Sequence, residues 1–173
     1  MEIKSLSHTS PDELFEAFEQ AFADYEVQLN KAEHLTMFKR RGFNPKASFG
    51  AFDRDKLVSF TCNGIGNFYG VRAAYDTGTG TLKDYQGRGL ATQVFEYSIP
   101  YLRELGIEEY LLEVLQHNTG ALSVYRKLGF EITREFYYFK QKNEQVDRAV
   151  KALDCCYTLK SIKISEYSSI HKF

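Results

Sequence analysis

The spacing of hydrophobic residues changes several times along the chain, and each change predicts a new structural element. Residues 2–7 alternate between apolar and polar, as in a short strand, whereas apolar residues three and four apart indicate helices over 11–22 and 31–41. Ser10 and Asn30 precede these helices, and each is followed three residues later by a glutamate. This spacing is that of a capping box, so it predicts where both helices begin.

The period then changes to two, which predicts three strands. The first two, over 48–52 and 57–61, flank a polar turn, and a Gly-rich stretch over 63–70 connects them to a third strand over 71–82. The third strand contains the run Thr-Gly-Thr-Gly-Thr at 77–81. Because glycine weakens a strand, this run indicates a bulge or a place where another group approaches the backbone closely.

Two helices with a strand between them follow. Apolar spacing predicts a helix over 90–105, which Pro100 is expected to kink or shorten, and a second helix from Asn118 onward. Residues 109–115 are nearly continuously apolar, which is typical of a strand covered on both faces. Two last strands are expected at 130–132 and 136–139. This order of elements predicts a mixed α/β (α+β) domain.

The composition narrows the classes of function. The 173 residues carry 22 Lys and Arg against 23 Asp and Glu, a formal net charge of −1, which argues against a nucleic-acid partner. No apolar run is long enough to span a bilayer and no signal pattern is present, so no membrane partner is expected. Cys62, Cys155 and Cys156 are an odd number with an adjacent pair, which favours a cytoplasmic location over a disulfide framework. The four histidines are scattered, so no metal is expected.

The regular pattern ends near residue 140. We predict one domain over 1–140 and a C-terminal tail over 141–173, in which 146–153 suits a short helix and 156–164 a strand. The tail is expected to pack against the domain, to mediate self-association into a homodimer, or to begin a second domain.

The strongest chemical signal is the loop Gln-Gly-Arg-Gly-Leu-Ala at 86–91, which lies between a predicted strand and a predicted helix. Glycine allows successive backbone amides to point inward and the helix adds its positive end, so the loop can hold an anion such as a pyrophosphate. Arg88 either adds positive charge to this cradle or faces solvent. The loop lacks the features of a Walker A or a Rossmann motif, and alone it is also compatible with an ordinary strand-to-helix turn.

A second block of residues lies in and around the next predicted helix: Asn118, Ala121, Tyr125 and the pair Gly129-Phe130. The first three are spaced to share one helical face, on which Tyr125 is either a core aromatic or a functional group. Together the loop and this block resemble the GNAT superfamily of acyl-CoA-dependent N-acetyltransferases. The resemblance covers residues 1–140 and implies a mixed, mostly antiparallel central sheet flanked by helices in three layers.

The resemblance also implies acetyl-CoA as co-substrate. Loop amides would hold its pyrophosphate, the preceding strand end would bind the pantetheine arm, and Tyr125 would be the general acid that protonates the departing thiolate. Gln86 and Lys83 stand where the family more often has arginine and proline, and neither change removes a backbone carbonyl or amide that the loop needs. The expected acetyl-CoA-binding residues are Thr81, Leu82, Lys83, Gln86, Gly87, Arg88, Gly89, Leu90, Ala91, Thr92, Asn118, Ala121 and Tyr125.

The acceptor is expected to be a primary amine on a small molecule, a peptide or a protein. An alkylamine is mostly protonated at neutral pH, so a carboxylate or a water relay has to take up a proton. Asp76, on the strand before the loop, is the first candidate for this base, and Asp24, Glu26 and Glu113 are the alternatives. Carboxylates near the expected acceptor site suggest a cationic amine. The residues expected to line this site are Phe22, Tyr25, Glu26, Tyr75 and Glu113.

The sequence therefore predicts an N-acetyltransferase in which the amine attacks acetyl-CoA directly within a ternary complex. Cys62 lacks the pattern of His and Asp partners that would favour an acyl-enzyme on cysteine. The alternative is a non-catalytic module of the same fold that binds acyl-CoA as a sensor or docks a partner.

Overall fold

The fold is that of a computed structural model, which describes residues 1–25 and 28–137. Glu26, the end of the strand expected at 136–139 and the whole tail over 141–173, with its expected helix and strand, lie outside the described residues. The division into a domain and a tail therefore stays a prediction.

A five-stranded sheet with its strands in sequence order forms the centre of the domain. Its antiparallel part comprises β1 (Glu2–Ser5), β2 (Phe49–Asp53), β3 (Lys56–Phe68) and β4 (Val71–Thr81). The fifth strand, β5 (Glu109–Leu111), is parallel to β4 and pairs with it only at residues 73–75. Beyond residue 75, β4 continues without a partner strand on that side among the described residues.

In the described part of the chain, four α-helices flank the sheet: α1 (Pro11–Ala21), α2 (Lys31–Arg40), α3 (Leu90–Glu104) and α4 (Thr119–Lys127). The capping boxes predicted at the first two helix starts are confirmed. The Glu13 amide donates to the Ser10 hydroxyl at 3.2 Å, the Ser10 amide donates to the Glu13 carboxylate at 2.7 Å, and Asn30 with Glu33 repeats the arrangement. Within the described part of the chain, no helix is both long and apolar enough to cross a membrane.

The helices lie on both faces of the sheet, which confirms the three-layer arrangement. On one face, the ring of Phe60 in β3 lies 4.5 Å from that of Phe18 in α1, measured between centroids. On the other face, Phe49 in β2 lies 5.5 Å from Tyr97 in α3. The core is therefore divided by the sheet, and Phe60 is fully buried within it.

The run of threonine and glycine in β4 allows α1 to pack closely. A Cβ on Gly78 would lie 2.7 Å from the Phe18 ring, and a Cβ on Gly80 would lie 2.9 Å from the Cβ of Ala21. The predicted close approach is confirmed, and the group that approaches is a helix of the same chain. The predicted bulge is present as well, opposite Cys62 and Asn63 of β3.

Some of the predicted boundaries are wrong. The Gly-rich stretch at 63–70 is not a connection, because β3 extends to Phe68 and pairs with β4 along its length. The strand expected at 109–115 ends at Leu111, where its pairing with β4 stops. Helix α3 is not shortened at Pro100 and continues to Glu104.

The strand expected at 130–132 is also wrong, and residues 136 and 137 are not in a strand. Phe130 instead belongs to the C-terminal cap of α4. Gly129 has a φ of 88°, and the Phe130 amide donates to the Tyr125 carbonyl at 3.0 Å. This pattern is that of a Schellman motif, which ends a helix and packs the following apolar residue back against it.

Candidate active site

A bulge in β4 determines which side chains share the site. Asp76 pairs with Asn63 of β3 and Gly78 pairs with Cys62, so Thr77 is one extra residue between them. Side chains alternate along a strand, and one extra residue reverses the alternation beyond it. Asp76 and Thr79 therefore lie on the same face of the sheet, the face covered by α3. The Thr77 hydroxyl secures the bulge by donating to the Cys62 carbonyl at 2.9 Å.

Asp76 is buried, with 8% of its surface exposed, and its carboxylate accepts three hydrogen bonds. The Gly78 amide and the Thr79 hydroxyl each donate at 2.8 Å, and the Tyr125 hydroxyl donates at 3.4 Å. Burial raises the pKa of Asp76 to about 6, although these three donors and the charge of Arg41 act in the opposite direction. The carboxylate can therefore take up or release a proton close to neutral pH.

Tyr125 reaches Asp76 from α4, and aromatic rings hold it in place. Its ring lies 5.7 Å from that of Phe95 and 5.8 Å from that of Phe130, between centroids. Burial raises its pKa well above the ordinary value, and the negative charge of Asp76 raises it further. The phenol is thus protonated at neutral pH, with its proton on the hydrogen bond to Asp76.

The loop between β4 and α3 presents a set of unpaired amides. Gly87 and Gly89 have φ values of 74° and 72°, and Gly89 is the N-cap of α3 without a side-chain cap. Among the described residues, no backbone amide from Gly87 to Thr92 donates a hydrogen bond. A Cβ on Gly87 would meet nothing within 4 Å, so the space above the loop is open. Such a row of amides at a helix N-terminus suits a phosphate or pyrophosphate.

The polar side chains of the loop form hydrogen bonds within the protein. Gln86 donates to the Thr81 carbonyl at 3.1 Å, and Arg88 folds back to donate to the Asp84 carbonyl at 2.6 Å. Leu82 is buried, its amide donates to Val58, and its carbonyl accepts from Tyr85. The Gln86 and Arg88 side chains and the Leu82 backbone are therefore engaged within the protein, whereas the amides from Gly87 to Thr92 have no partner among the described residues.

Asn118 forms the start of α4. Its side chain accepts a hydrogen bond from the Ala121 amide at 3.1 Å, as expected for an N-cap. The cap fixes the first turn of the helix that carries Tyr125, two turns further along the same face. Asn118 is therefore one of the residues that set the position of the phenol.

Of the described residues predicted to line the acceptor site, Tyr75 lies in β4 beneath the Arg41 guanidinium, and Phe22 and Tyr25 follow α1. Burial raises the pKa of Tyr75 to about 12; the charge of Arg41 opposes this effect, and Glu113, which accepts a hydrogen bond from the phenol, adds to it. Phe22 stacks on Phe18 and meets the ring of Tyr25 edge-on.

The alternatives to Asp76 as the base lie in different surroundings. Asp24 is exposed and pairs with Lys83 at 3.1 Å. Glu113 is exposed as well, and Glu26 lies outside the described residues. Among the described candidates for the base, Asp76 is the buried carboxylate and the one that contacts Tyr125.

Sequence reasoning missed two residues of the site. Thr79 donates to Asp76 only because of the bulge, and Arg41 follows α2, where a basic residue needs no further explanation than the helix dipole. The Arg41 guanidinium lies 5.2 Å from the centroid of the Tyr75 ring. Cys62 is fully buried and burial raises its pKa, an environment unfavourable to a thiolate nucleophile.

The fold and the site together define a protein with a loop of amides that have no partner among the described residues and a buried carboxylate hydrogen-bonded to a phenol. A family model described as the acetyltransferase (GNAT) family matches residues 11–130. The chain therefore belongs to the GNAT family, as its motifs predicted, and the mixed sheet flanked by helices agrees with the expected fold.

Two curated relatives illustrate the similarity. The chain is 32% identical over 116 residues to the N-alpha-acetyltransferase MAK3 of Arabidopsis thaliana, a match that covers 65% of this chain and 61% of the relative. It is 28% identical over 96 residues to N-alpha-acetyltransferase 30 of Schizosaccharomyces pombe, which covers 55% of this chain and 64% of the relative. The chain thus spans less than two-thirds of the length of these relatives.

Solved structures show the same fold at lower sequence identity. The NatC complex bound to Gag peptide and CoA has a chain that aligns with a TM-score of 0.64 and 20% identity, covering 78% of this chain and 87% of that one. An aminoglycoside acetyltransferase from a soil metagenomic sample, in complex with sisomicin, aligns with a TM-score of 0.62 and 20% identity, covering 81% and 96%.

Proposed function

We propose that this protein transfers the acetyl group of acetyl-CoA to a primary amine, with Tyr125 as general acid and Asp76 as base. The observation that carries this function is the direct hydrogen bond from the Tyr125 hydroxyl to the buried Asp76 carboxylate. This bond joins the Asp76 carboxylate, which can take up a proton near neutral pH, to the Tyr125 phenol, which carries one. Acyl transfer from a thioester to an ammonium group involves both kinds of proton transfer, because the nitrogen loses protons and the departing thiolate gains one.

Acetyl-CoA would enter between β4 and β5, where the two strands stop pairing. The unpaired amides from Gly87 to Thr92 would hold the pyrophosphate. Thr81, the last residue of β4, and Lys83, two residues further on, would lie along the pantetheine arm. The thioester would then lie beside the Tyr125 hydroxyl, close to the centre of the sheet.

The proton transfers follow from the charges at the site. An ammonium group first gives one proton to the Asp76 carboxylate, and the neutral nitrogen attacks the thioester carbon. When the C–S bond breaks, the thiolate receives the proton of Tyr125, and the proton that leaves the new amide nitrogen restores the phenol. Asp76 releases its proton to solvent, so each turnover yields an amide, a thiol and one proton.

The protonation of Asp76 affects the pKa of Tyr125 in the direction that favours this chemistry. The negative charge of Asp76 raises the pKa of Tyr125. Once Asp76 has taken up a proton, that charge is gone and Tyr125 becomes a stronger acid, at the stage at which a thiolate is about to leave. Proton uptake at the first group thereby favours proton donation by the second.

The acceptor is an amine on a peptide or protein, or on a small molecule. The names and structures of the relatives include both kinds, because N-alpha-acetyltransferases and an aminoglycoside acetyltransferase are among them. The alternative function is that of a non-catalytic module that binds acyl-CoA through the same loop. It gives no role to the hydrogen bond between Asp76 and Tyr125.

Release of free thiol from acetyl-CoA, measured over a panel of amino acids, peptides with free N-termini, polyamines and aminoglycosides, tests this function. We expect amine-dependent release by the wild type, and a loss of release in Asp76→Asn while acetyl-CoA binding remains. Binding of acetyl-CoA without release for any amine in the panel would favour the non-catalytic module.

A further inference from the structure

An arginine is fixed beside the proposed acceptor site. Arg41 follows the last turn of α2, and its carbonyl lies against β3 so closely that a Cβ on Gly64 would be 1.9 Å from it. The backbone of Arg41 is therefore packed directly against the sheet at Gly64. Its guanidinium lies over the ring of Tyr75, one residue before Asp76 in the strand.

The Arg41 guanidinium has far more N–H donors than hydrogen-bond acceptors around it among the described residues. An arginine offers five N–H donors, and here Nη1 alone has an acceptor among the described residues, the Thr77 carbonyl at 3.5 Å, which is a long contact. The ion pairs within the described residues are formed by Lys4, Lys31 and Lys83, and none includes Arg41. Arg41 is half-buried, so its remaining donors are only partly hydrated.

The position of the Arg41 charge affects which acceptor amines the site can bind. Arg41 acts electrostatically on both Tyr75 and Asp76, and Glu113 bonds Tyr75 as well. The site therefore offers carboxylates for an ammonium group and, next to them, one cation. A planar guanidinium with free donors binds a carboxylate through two parallel hydrogen bonds and repels a second positive charge.

We propose that Arg41 binds a carboxylate of the acceptor, so that the preferred substrates are amines carrying a nearby carboxylate and not polycationic amines. This inference rests on the proposed acetyl transfer and specifies its acceptor class. The carboxylate can come from a free amino acid or from an acidic second residue of a peptide, and the two sources share the chemistry that Arg41 recognises.

Two matched pairs of acceptors test the inference. One pair is alanine and alaninamide, and the other is a C-terminally amidated peptide with Glu or Gln at its second position. The quantity to measure is the ratio of kcat/KM for the acid to that for the amide, in the wild type and in Arg41→Gln. Because a carboxylate also alters the basicity of the amine, the change of this ratio between the two proteins is what counts.

We expect the ratio for at least one pair to fall about tenfold or more in Arg41→Gln, the effect of losing charge-assisted hydrogen bonds. Arg41→Lys should retain part of the preference, and Arg40→Gln, the exposed neighbour, should retain all of it. The pair that responds identifies the source of the carboxylate. Equal ratios in the wild type and in Arg41→Gln, with melting curves that show both proteins folded, would overturn the inference.

The failure of this inference is distinguishable from that of the proposed function. If thiol release occurs and the acid-to-amide ratio is the same in the wild type and in Arg41→Gln, acetyl transfer stands and only the role of Arg41 is wrong. If no amine causes release, calorimetric binding of the same pairs in the presence of CoA decides: a preference for the acid that Arg41→Gln removes supports the subsite, and no preference overturns it.

Discussion

Replacing Asp76 with asparagine should make the protein more stable at neutral pH. The carboxyl has a pKa near 6 in the folded protein, because of burial, against an ordinary value of 3.8. A difference of this size corresponds to about 3 kcal/mol of free energy of unfolding at pH values above 6. Asparagine is similar in size: its oxygen can accept the bond from the Gly78 amide, and its NH2 group can donate to the hydroxyl oxygen of Thr79. Unlike the carboxylate, it carries no charge to desolvate.

The sign follows from proton linkage. A carboxyl whose pKa is raised on folding favours the folded state below the unfolded pKa, and this contribution is lost as pH rises through the folded pKa. The free energy of unfolding of Asp76→Asn should therefore exceed that of the wild type least below pH 4. The difference should grow between pH 4 and 6 and stay constant above pH 6. For a chain of this length, about 3 kcal/mol corresponds to an increase in Tm of about 6–12 °C.

Thermal or urea denaturation of Asp76→Asn and the wild type at several pH values measures this difference directly. Asp55→Asn is the matched control, because Asp55 lies exposed in the turn between β2 and β3 and its replacement should have little effect at any pH. A difference between Asp76→Asn and the wild type that does not change from pH 4 to pH 8 would refute the reasoning.

Two further predictions concern the loop that precedes α3 and the buried His34 in α2. Gly89→Val should abolish the stabilisation by acetyl-CoA, about 2.7 kcal/mol at 100 times its Kd, whereas Gly70→Val, equally strained at a φ of 85° in the β3–β4 turn, should retain it in a thermal-shift assay. His34 is buried among phenylalanine rings, its Nε2 has no hydrogen-bond partner among the described residues, and burial lowers its pKa to about 4. His34→Leu should therefore gain stability relative to the wild type as pH falls from 6.5 towards 4, and an equal difference in denaturation midpoint at pH 7 and pH 4.5 would contradict this.

The features that the sequence predicted correctly are those governed by local rules. Ser10 with Glu13 predicted the start of α1, because a capping box involves only neighbouring residues. The motifs around Gly89 and Tyr125 likewise predicted the family, because each is a short pattern at fixed spacing.

The features that the sequence did not predict depend on contacts between distant elements. The length of β3 is set by its pairing with β4, so the glycines at 64 and 66 lie within a strand and not in a connection. The contact of Thr79 with Asp76 depends on one extra residue in the ladder. The place of Arg41 over Tyr75 depends on how α2 packs on the sheet, and no local pattern indicates it.

The rate of the chemical step in Tyr125→Phe is the most direct test of the central claim, that Tyr125 protonates the departing thiolate. Single-turnover measurements should show a loss on the order of 10²–10⁴-fold with acetyl-CoA affinity nearly intact, since only the hydroxyl is removed. Tyr110→Phe is the control, because it removes a buried hydroxyl that bonds Asn63, and it should lower stability with little change in rate. A wild-type single-turnover rate in folded Tyr125→Phe would remove Tyr125 from the mechanism and contradict the claim.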